Sequence, residues 1–200
     1  MIVRPYTLAD LPALLTIQAE CFPPPFPPEL WWKRDQVASH EERFPAGALC
    51  VDDGTQLLAS ATALIVAFDP DHPQHTWAEV ADGGYLGTHR PDGDTLYGID
   101  MAVRPAWRGR GVARMLYQAR FELVRRLGLK RFLAGSRLAG WHRYQYLTQE
   151  QYAEEVVAGR LVDPVITPQL RSGLQPLAFL HGYIEDVESG HAALLMEWTP

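Results

Sequence analysis

A turn rich in glycine and arginine, Arg108-Gly109-Arg110-Gly111, has the residue types that bind phosphate groups. The two glycines allow the backbone to approach a bulky anion closely. Arg108, Arg110 and, three residues after the turn, Arg114 add positive charge. This combination predicts a binding site for a phosphate or a pyrophosphate.

The segments on either side of this turn are predicted to be a strand and a helix. The segment 96–103 is short and mostly apolar, which favours a buried strand. Arg104-Pro105 ends this strand, because proline has no N–H to donate to the hydrogen bonds of the sheet. After the turn, apolar residues recur at helical spacing at Val112, Met115, Leu116, Ala119, Leu123 and Leu127. Gly128 is a typical helix end. The first amides of such a helix lack an internal partner and lie at its positive end, which suits an anion.

Two common phosphate-binding motifs do not fit this turn. A dinucleotide-binding G-x-G-x-x-G would need a third glycine where Arg114 stands, and no G-x-x-x-x-G-K-[ST] is present. The segment from Arg108 to Ala113, RGRGVA, instead resembles the [QR]-x-x-G-x-[GA] motif of Gcn5-related N-acetyltransferases, and Val103-Arg104-Pro105 resembles that family's V-x-P lead-in.

The resemblance implies an α/β (α+β) fold, in which helices flank a mixed central sheet of about six to seven strands and a V-shaped cleft opens between strands 4 and 5. It also implies acetyl-CoA as co-substrate, with no metal. The residues implied to bind acetyl-CoA are Met101, Ala102, Val103, Arg108, Gly109, Arg110, Gly111, Val112, Ala113, Arg114 and Ser136. In the family, backbone amides of the central strand polarise the thioester carbonyl, a role that would fall to Met101 and Val103.

The acetyl transfer that the resemblance implies requires a base and an acid. Asp100 is the candidate base, because a carboxylate inside an apolar strand is costly unless it is paired or used; a structural Asp is an equal alternative. Tyr144 is the candidate acid, with Tyr146 as runner-up and His142 as a further option; the alternatives are a core or cleft-lining role for each tyrosine and a structural role for His142. The sequence departs from the family here: Ser136 stands roughly where the family has an Asn, and no Y-x-x-x-G-F is present.

Composition predicts one domain over residues 1–200, with a proline-rich connector at 22–28 and a long insertion at 69–94. The net charge of −6 argues against nucleic acid as a partner, and no apolar run suits a membrane. Two cysteines without metal-ligand spacing indicate a reducing, cytoplasmic location. Four polar residues of the insertion, Asp69, Asp71, His72 and His75, are interpreted as loop residues rather than metal ligands.

The remaining segments are predicted from periodicity and turn signals. Strands are expected at 1–6, 46–51, 56–68, 131–134, 177–180 and 192–198, and helices at 8–21, 29–44, 75–80 and 148–159, with 161–167 as a connection. Parallel pairing is expected between the strands at 96–103 and 131–134, and antiparallel pairing between the last two strands.

A narrower resemblance concerns bacterial acetyltransferase-like domains that stand next to carbon–nitrogen hydrolase domains; here the domain is expected to stand alone. It is carried by TWAEV, PDGDTLYGIDMAVRPAWRGRG, AGSRLAGWHRY and the C-terminal segment. The function implied is acetyl transfer to a small-molecule or protein amine by direct attack, in a chain that could form a homodimer. The alternatives are a non-catalytic acyl-CoA-binding or sensing module and an unrelated nucleotide-binding domain.

Overall fold

A computed structural model describes all residues, 1–200. The strands are β1 Ile2–Pro5, β2 Ala48–Asp52, β3 Leu57–Val66, β4 Thr95–Val103, β5 Arg131–Arg137, β6 Gln175–Leu180 and β7 Ala193–Trp198. The helices are α1 Leu11–Cys21, α2 Arg34–Arg43, α3 Trp77–Ala81, α4 Val112–Leu127, α5 Gln149–Val157 and α6 Ile166–Arg171. None of these helices combines the length and the apolar character that a membrane crossing requires.

The seven strands form one mixed sheet in the order β1-β2-β3-β4-β5-β7-β6. Only β4 and β5 pair in parallel, and every other pair is antiparallel. The predicted mixed sheet, the parallel crossover through α4 and the antiparallel closing pair are therefore confirmed.

Helices cover both faces of the sheet. On one face, α1, α2 and α3 pack through residues such as Leu14, Val37 and Trp77. On the other face, α4, α5 and α6 pack through residues such as Phe121, Tyr152, Val156 and Ile166. The buried β3, whose ten residues are all inaccessible, lies between the two layers, so the centre of the sheet is a rigid support for β4.

Two predicted elements differ from the structure by a helical turn or more, and β5 and β6 extend beyond the predicted strands, to Arg137 and from Gln175. The helix expected from Glu29 begins at Arg34, because Pro27 and Pro28 allow only a single 3₁₀ turn and Trp31 is extended. The connection expected at 161–167 contains the start of α6, whose first amides at Val165 and Ile166 donate to the buried carboxylate of Asp163. A capping carboxylate that lies outside the helical pattern explains the second error.

Candidate functional site

The parallel strands β4 and β5 separate halfway along their length. They pair only from Thr95–Arg131 to Gly98–Ala134, after which β5 pairs with β7 alone. Ile99 to Val103 therefore have no strand partner on this side, and a cleft of about 1630 Å³ opens at the fork. This is the V-shaped cleft expected between the fourth and fifth strands.

The predicted phosphate loop lies at one end of this cleft. Gly109 and Gly111 have φ angles of 72° and 82°, in the left-handed region, and no other group lies within 4 Å of the place that a side chain would take. The amide of Met115 donates to the carbonyl of Gly111, so the amides of residues 112–114 precede the first helical hydrogen bond. The turn thus presents the start of α4 to the cleft without covering it.

The arginines of the loop do not all face the same way. Arg108 and Arg114 line the cleft, whereas Arg110 does not and lies over the ring of Trp107 at 5.3 Å. The Arg108 Nε–H also donates to the carbonyl of Val103 at 3.1 Å, which ties the loop to the end of β4. Phosphate contact through its side chain therefore remains a prediction for Arg108 and Arg114, while Arg110 is not placed in the cleft.

The lining of the cleft fits an acyl-CoA in size and chemistry. The volume lies above the 300–1,000 Å³ that ordinary small-molecule sites occupy, as a long co-substrate requires. The arginines in the wall are Arg108, Arg114, Arg125, Arg137, Arg143 and Arg171. The apolar wall near the fork includes Phe22, Phe26, Leu30, Trp32 and Trp77. No group of three or more His, Cys, Asp or Glu side chains could hold a metal ion.

A bulge in β4 shapes the unpaired segment. The β3–β4 register shifts between Thr62 and Ala63, opposite Asp100 and Gly98, which leaves Ile99 as the extra residue. The Trp77 Nε1–H donates to the Ile99 carbonyl at 2.9 Å. From the other face, Arg120 Nη2 donates to the carbonyls of Asp100 at 2.6 Å and Thr62 at 2.8 Å. The bulge is therefore held from both sides of the sheet.

Asp100 lies at this bulge and lines the cleft. Its Oδ2 atom is buried and makes no hydrogen bond of normal geometry, and neither does the buried indole N–H of Trp32 in the same wall, which is close enough to lower the pKa of the carboxyl group but not to satisfy it. Burial raises the pKa of Asp100 from 3.8 to about 6, against the opposing effects of the Arg120 charge and of the nearby Trp32 indole. A carboxylate with this pKa is largely ionised at neutral pH and can accept a proton.

The other predicted catalytic residues are less well placed. Tyr144 is not part of the cleft wall, because this half-buried side chain packs against Tyr152 at 5.5 Å at the edge of the core beneath α5. Tyr146 is 79% exposed on the surface. Ser136 is also outside the wall, with its hydroxyl donating to Gln169 Oε1. His142 does line the cleft, where its Nδ1 lies 3.0 Å from the Ala139 carbonyl.

Three residues at the fork were not predicted from the sequence. Trp77 and Tyr183 line the cleft, and Arg120 lies under the bulge with 2% of its surface exposed. The sequence does contain a sign of Arg120, because this charged residue interrupts the apolar face of α4 between Leu116 and Val124. The sequence contains no such sign of Tyr183, because this residue lies in the long connection between β6 and β7, which has no periodic pattern.

Two curated proteins of Bacillus subtilis strain 168 are similar to this chain. The first, named "Uncharacterized N-acetyltransferase YkwB", is 44% identical over 98% of this chain and 87% of its own length. The second, "Probable hydrolase YhcX", is 35% identical over 100% of this chain. The chain spans only 38% of the length of that second relative.

Solved structures share the fold. A structure described as "GphF GNAT-like decarboxylase in complex with isobutyryl-CoA" superposes with a TM-score of 0.79 and 23% identity, over 100% of this chain and 99% of that one. Residues 11–147, more than half of the chain, match the family described as "Acetyltransferase (GNAT) family". On this match and on the 44% identity to the first relative, the chain belongs to the acetyltransferase (GNAT) family, as the sequence motif indicated.

Proposed function

We propose that this protein transfers the acetyl group of acetyl-CoA to a primary amine by direct attack, with Asp100 as the base. The observation that carries the proposal is the buried, unpartnered Oδ2 of Asp100 in the wall of the cleft, on a carboxyl group with a pKa of about 6. An amine substrate arrives protonated at neutral pH and must lose a proton before it can attack. An ionised carboxylate in an apolar wall both attracts the ammonium and accepts that proton.

The loop at residues 108–114 would hold the pyrophosphate through the amides at the start of α4 and the side chains of Arg108 and Arg114. The unpaired main chain from Met101 to Val103 would run beside the pantetheine arm, as a missing strand would. The co-substrate supplies an activated thioester, and the fixed backbone amides of this segment would stabilise the negative charge that develops on its carbonyl oxygen. Holding both reactants in one cleft supplies the proximity that direct transfer needs.

Two other functions fit the fold. The decarboxylase described for GphF would require a carboxylate in the acyl group. The charge of Asp100 would repel a carboxylate at the fork, so the site favours a cationic acceptor over such a substrate. A non-catalytic acyl-CoA-binding module would need the cleft and the loop, yet it gives no reason for a buried carboxylate oxygen without a hydrogen bond.

The test combines binding and turnover on the whole chain. Acetyl-CoA binding is measured by calorimetry, and thiol release is measured with a panel of primary amines, with malonyl-CoA and carbon dioxide detection as a separate arm. We expect micromolar binding and amine-dependent thiol release. Asp100→Asn should lower kcat by about 100-fold and leave acetyl-CoA affinity unchanged.

Asp94→Asn is the matched control, because Asp94 directly precedes the same strand and pairs with Lys130 away from the cleft. Binding without turnover on any amine would favour the binding module. Carbon dioxide release from malonyl-CoA would favour the decarboxylase, and no binding of either CoA ester would overturn all three functions.

A further inference from the structure

The bulge in β4 directs the side chain of Asp100 into one half of the cleft. In a regular strand Ile99 and Met101 would share a face of the sheet, yet Ile99 packs in the layer of α1, α2 and α3, and Met101 packs on the side of α4. The extra residue of the bulge causes this change of face. Because Trp32 of the first layer is close enough to affect the pKa of Asp100, the carboxyl group lies on the side opposite α4, in the α1–α3 half of the cleft.

The wall of the α1–α3 half is apolar and largely aromatic. Its side chains belong to the core layer of α1, α2 and α3 or pack against it: Phe22, Phe26, Leu30, Trp32, Trp77 and Ile184. The rings of Phe22 and Phe26 lie 4.9 Å apart, and those of Trp32 and Trp77 lie 6.3 Å apart. The proline-rich segment 22–28 contributes both phenylalanines, so it is part of the wall and not only a connector. A ligand in this half therefore meets aromatic rings around the carboxylate of Asp100.

Asp100 carries the free negative charge of the cleft. Four carboxylate groups line the cleft, and three of them are paired with an arginine: Glu20 at 2.6 Å, Glu122 at 3.6 Å and Glu188 at 2.9 Å. Asp100 is in no ion pair, because the nearby Arg120 guanidinium binds its carbonyl oxygen and not its side chain. One free negative charge on an apolar wall suits a ligand with one positive charge and no other ionic group.

Arg137 is the arginine that lies over this wall, and its donors are engaged. Its guanidinium is 4.9 Å from the centre of a phenylalanine ring of the wall. Its Nε–H donates to Asp186 at 2.7 Å, and Nη2 donates to Glu188 at 2.9 Å. The other arginines of the cleft belong to the phosphate loop, to α4, to α6 or, as Arg143, to the exposed surface at the mouth. A substrate carboxylate would therefore lie near the charge of Asp100 without a free guanidinium to bind it.

We propose that the acceptor is an arylalkylamine, a primary amine on a short alkyl chain that carries an aromatic ring and no carboxylate; this inference rests on the proposed function. The ammonium group pairs with Asp100, and the ring packs against the phenylalanine and tryptophan side chains of the wall. Contacts between aromatic rings add to the effect of buried area, so the ring is favoured over an alkyl group of the same size. Arg137, held by Asp186 and Glu188, leaves a carboxylate unbound. A diamine or a peptide would place a second charge or unpaired main-chain groups on the same apolar wall.

The experiment compares four amines with the whole chain and acetyl-CoA. Phenethylamine is the arylalkylamine, phenylalanine adds a carboxylate to it, cyclohexylethylamine replaces its aromatic ring, and putrescine is a diamine. We expect kcat/KM for phenethylamine to exceed that for phenylalanine and for putrescine by about 100-fold, and that for cyclohexylethylamine by about fivefold. If phenylalanine or putrescine is acetylated as well as phenethylamine, this inference fails and the proposed function stands. Absence of turnover on every amine removes both.

Glu188→Gln tests the role of Arg137, because it frees Nη2 for a substrate carboxylate. It should raise kcat/KM for phenylalanine about tenfold and change that for phenethylamine less than about twofold. Glu185→Gln is the matched control, since Glu185 lies in the same connection between β6 and β7 but is exposed and outside the cleft. An equal rise in both variants would reflect net charge alone and would contradict the role of Arg137.

Phe22→Leu tests the aromatic wall, because it removes a half-buried ring and keeps an apolar side chain. It should lower kcat/KM for phenethylamine about fivefold and change that for cyclohexylethylamine less than about twofold. Phe179→Leu, at a half-buried ring of β6 outside the cleft, should change neither value. An equal loss on both amines in Phe22→Leu would show a merely structural role of this ring and overturn the preference for an aromatic acceptor.

Discussion

Nη2 of Arg120 lies 2.6 Å from the carbonyl oxygen of Asp100 and binds the carbonyl of Thr62 with the same nitrogen. One buried guanidinium therefore joins β3 and β4 where their register shifts. Its charge also opposes the effect of burial on the pKa of the Asp100 side chain. The same residue thus fixes the backbone of the bulge and sets the proton affinity of the candidate base.

Replacing Arg120 by Met should destabilise the fold and alter the pH dependence of activity. Two buried carbonyls would lose their charged donor, so we expect the free energy of unfolding in urea to fall by about 3 kcal/mol. The pKa of Asp100 should rise above its value of about 6, which would move the acidic limb of the kcat profile to higher pH. Arg120→Lys keeps the charge and should retain the pH profile while it loses stability; an unchanged profile in Arg120→Met would contradict the electrostatic role.

Gly111→Glu should abolish acetyl-CoA binding, because it places bulk and negative charge where the phosphates are proposed to lie. Gly128→Glu is the matched control. Gly128 ends the same helix at a φ of 66°, also with open space around it, but outside the cleft. Both changes should cost about 1 kcal/mol of stability through backbone strain, and only the first should remove the calorimetric binding signal. Equal affinities in the two variants would mean that the loop does not hold the phosphates.

Arg114→Gln and Arg110→Gln separate the arginines of the loop. Arg114 lines the cleft and should contribute to phosphate binding, so its removal should weaken acetyl-CoA binding about tenfold at low salt. Arg110 lies over the ring of Trp107 and is not itself part of the cleft wall, so its removal should change affinity less than about twofold. Titrations at two salt concentrations check this, since the contribution of Arg114 should shrink as salt rises. The reverse order of effects would be inconsistent with the observed placement.

His40 should make the fold sensitive to acid. Its ring is fully buried, with Nε2 on the Gly84 carbonyl and Nδ1 on the Tyr6 hydroxyl, and burial lowers its pKa from 6.5 to about 4. Between these values the unfolded chain binds the proton and the folded chain does not. The free energy of unfolding should therefore fall as pH decreases from 6.5 to 4, by at most about 3 kcal/mol.

Asp100 has the opposite effect on stability. Its pKa is about 6 in the folded chain and 3.8 in the unfolded chain, so between these values the folded chain binds the proton more tightly and gains stability as pH decreases. Urea unfolding at several pH values should show a steeper acid loss in Asp100→Asn than in the parent protein. In His40→Gln, the part of the acid-induced fall in the free energy of unfolding that comes from protonation of His40 should disappear. An identical pH slope in the parent protein and His40→Gln would contradict a neutral buried His40.

The strand, turn and helix from β4 to Gly128 could be predicted almost to the residue, because every signal is local: an apolar run, a proline, two glycines and a 3.6-residue period. The start of α2 could not, since it depends on the extended backbone at Trp31 after the 3₁₀ turn, which no periodic pattern marks. Tyr144 and Tyr183 show the same limit for the site. Spacing along the chain favoured Tyr144, whereas tertiary packing places that half-buried side chain against Tyr152, outside the cleft wall, and brings Tyr183 to the fork from 39 positions further on.

The fork between β4 and β5 leaves the edge of β4 free in the interior of the sheet, in addition to the outer edges of β1 and β6. Trp77 and Arg120 hold the bulge at this edge from opposite faces of the sheet. A ligand that lies along Ile99 to Val103 therefore completes the sheet without first separating two strands. The free energy of separating β4 from β5 is therefore part of the free energy of folding and does not weaken ligand binding.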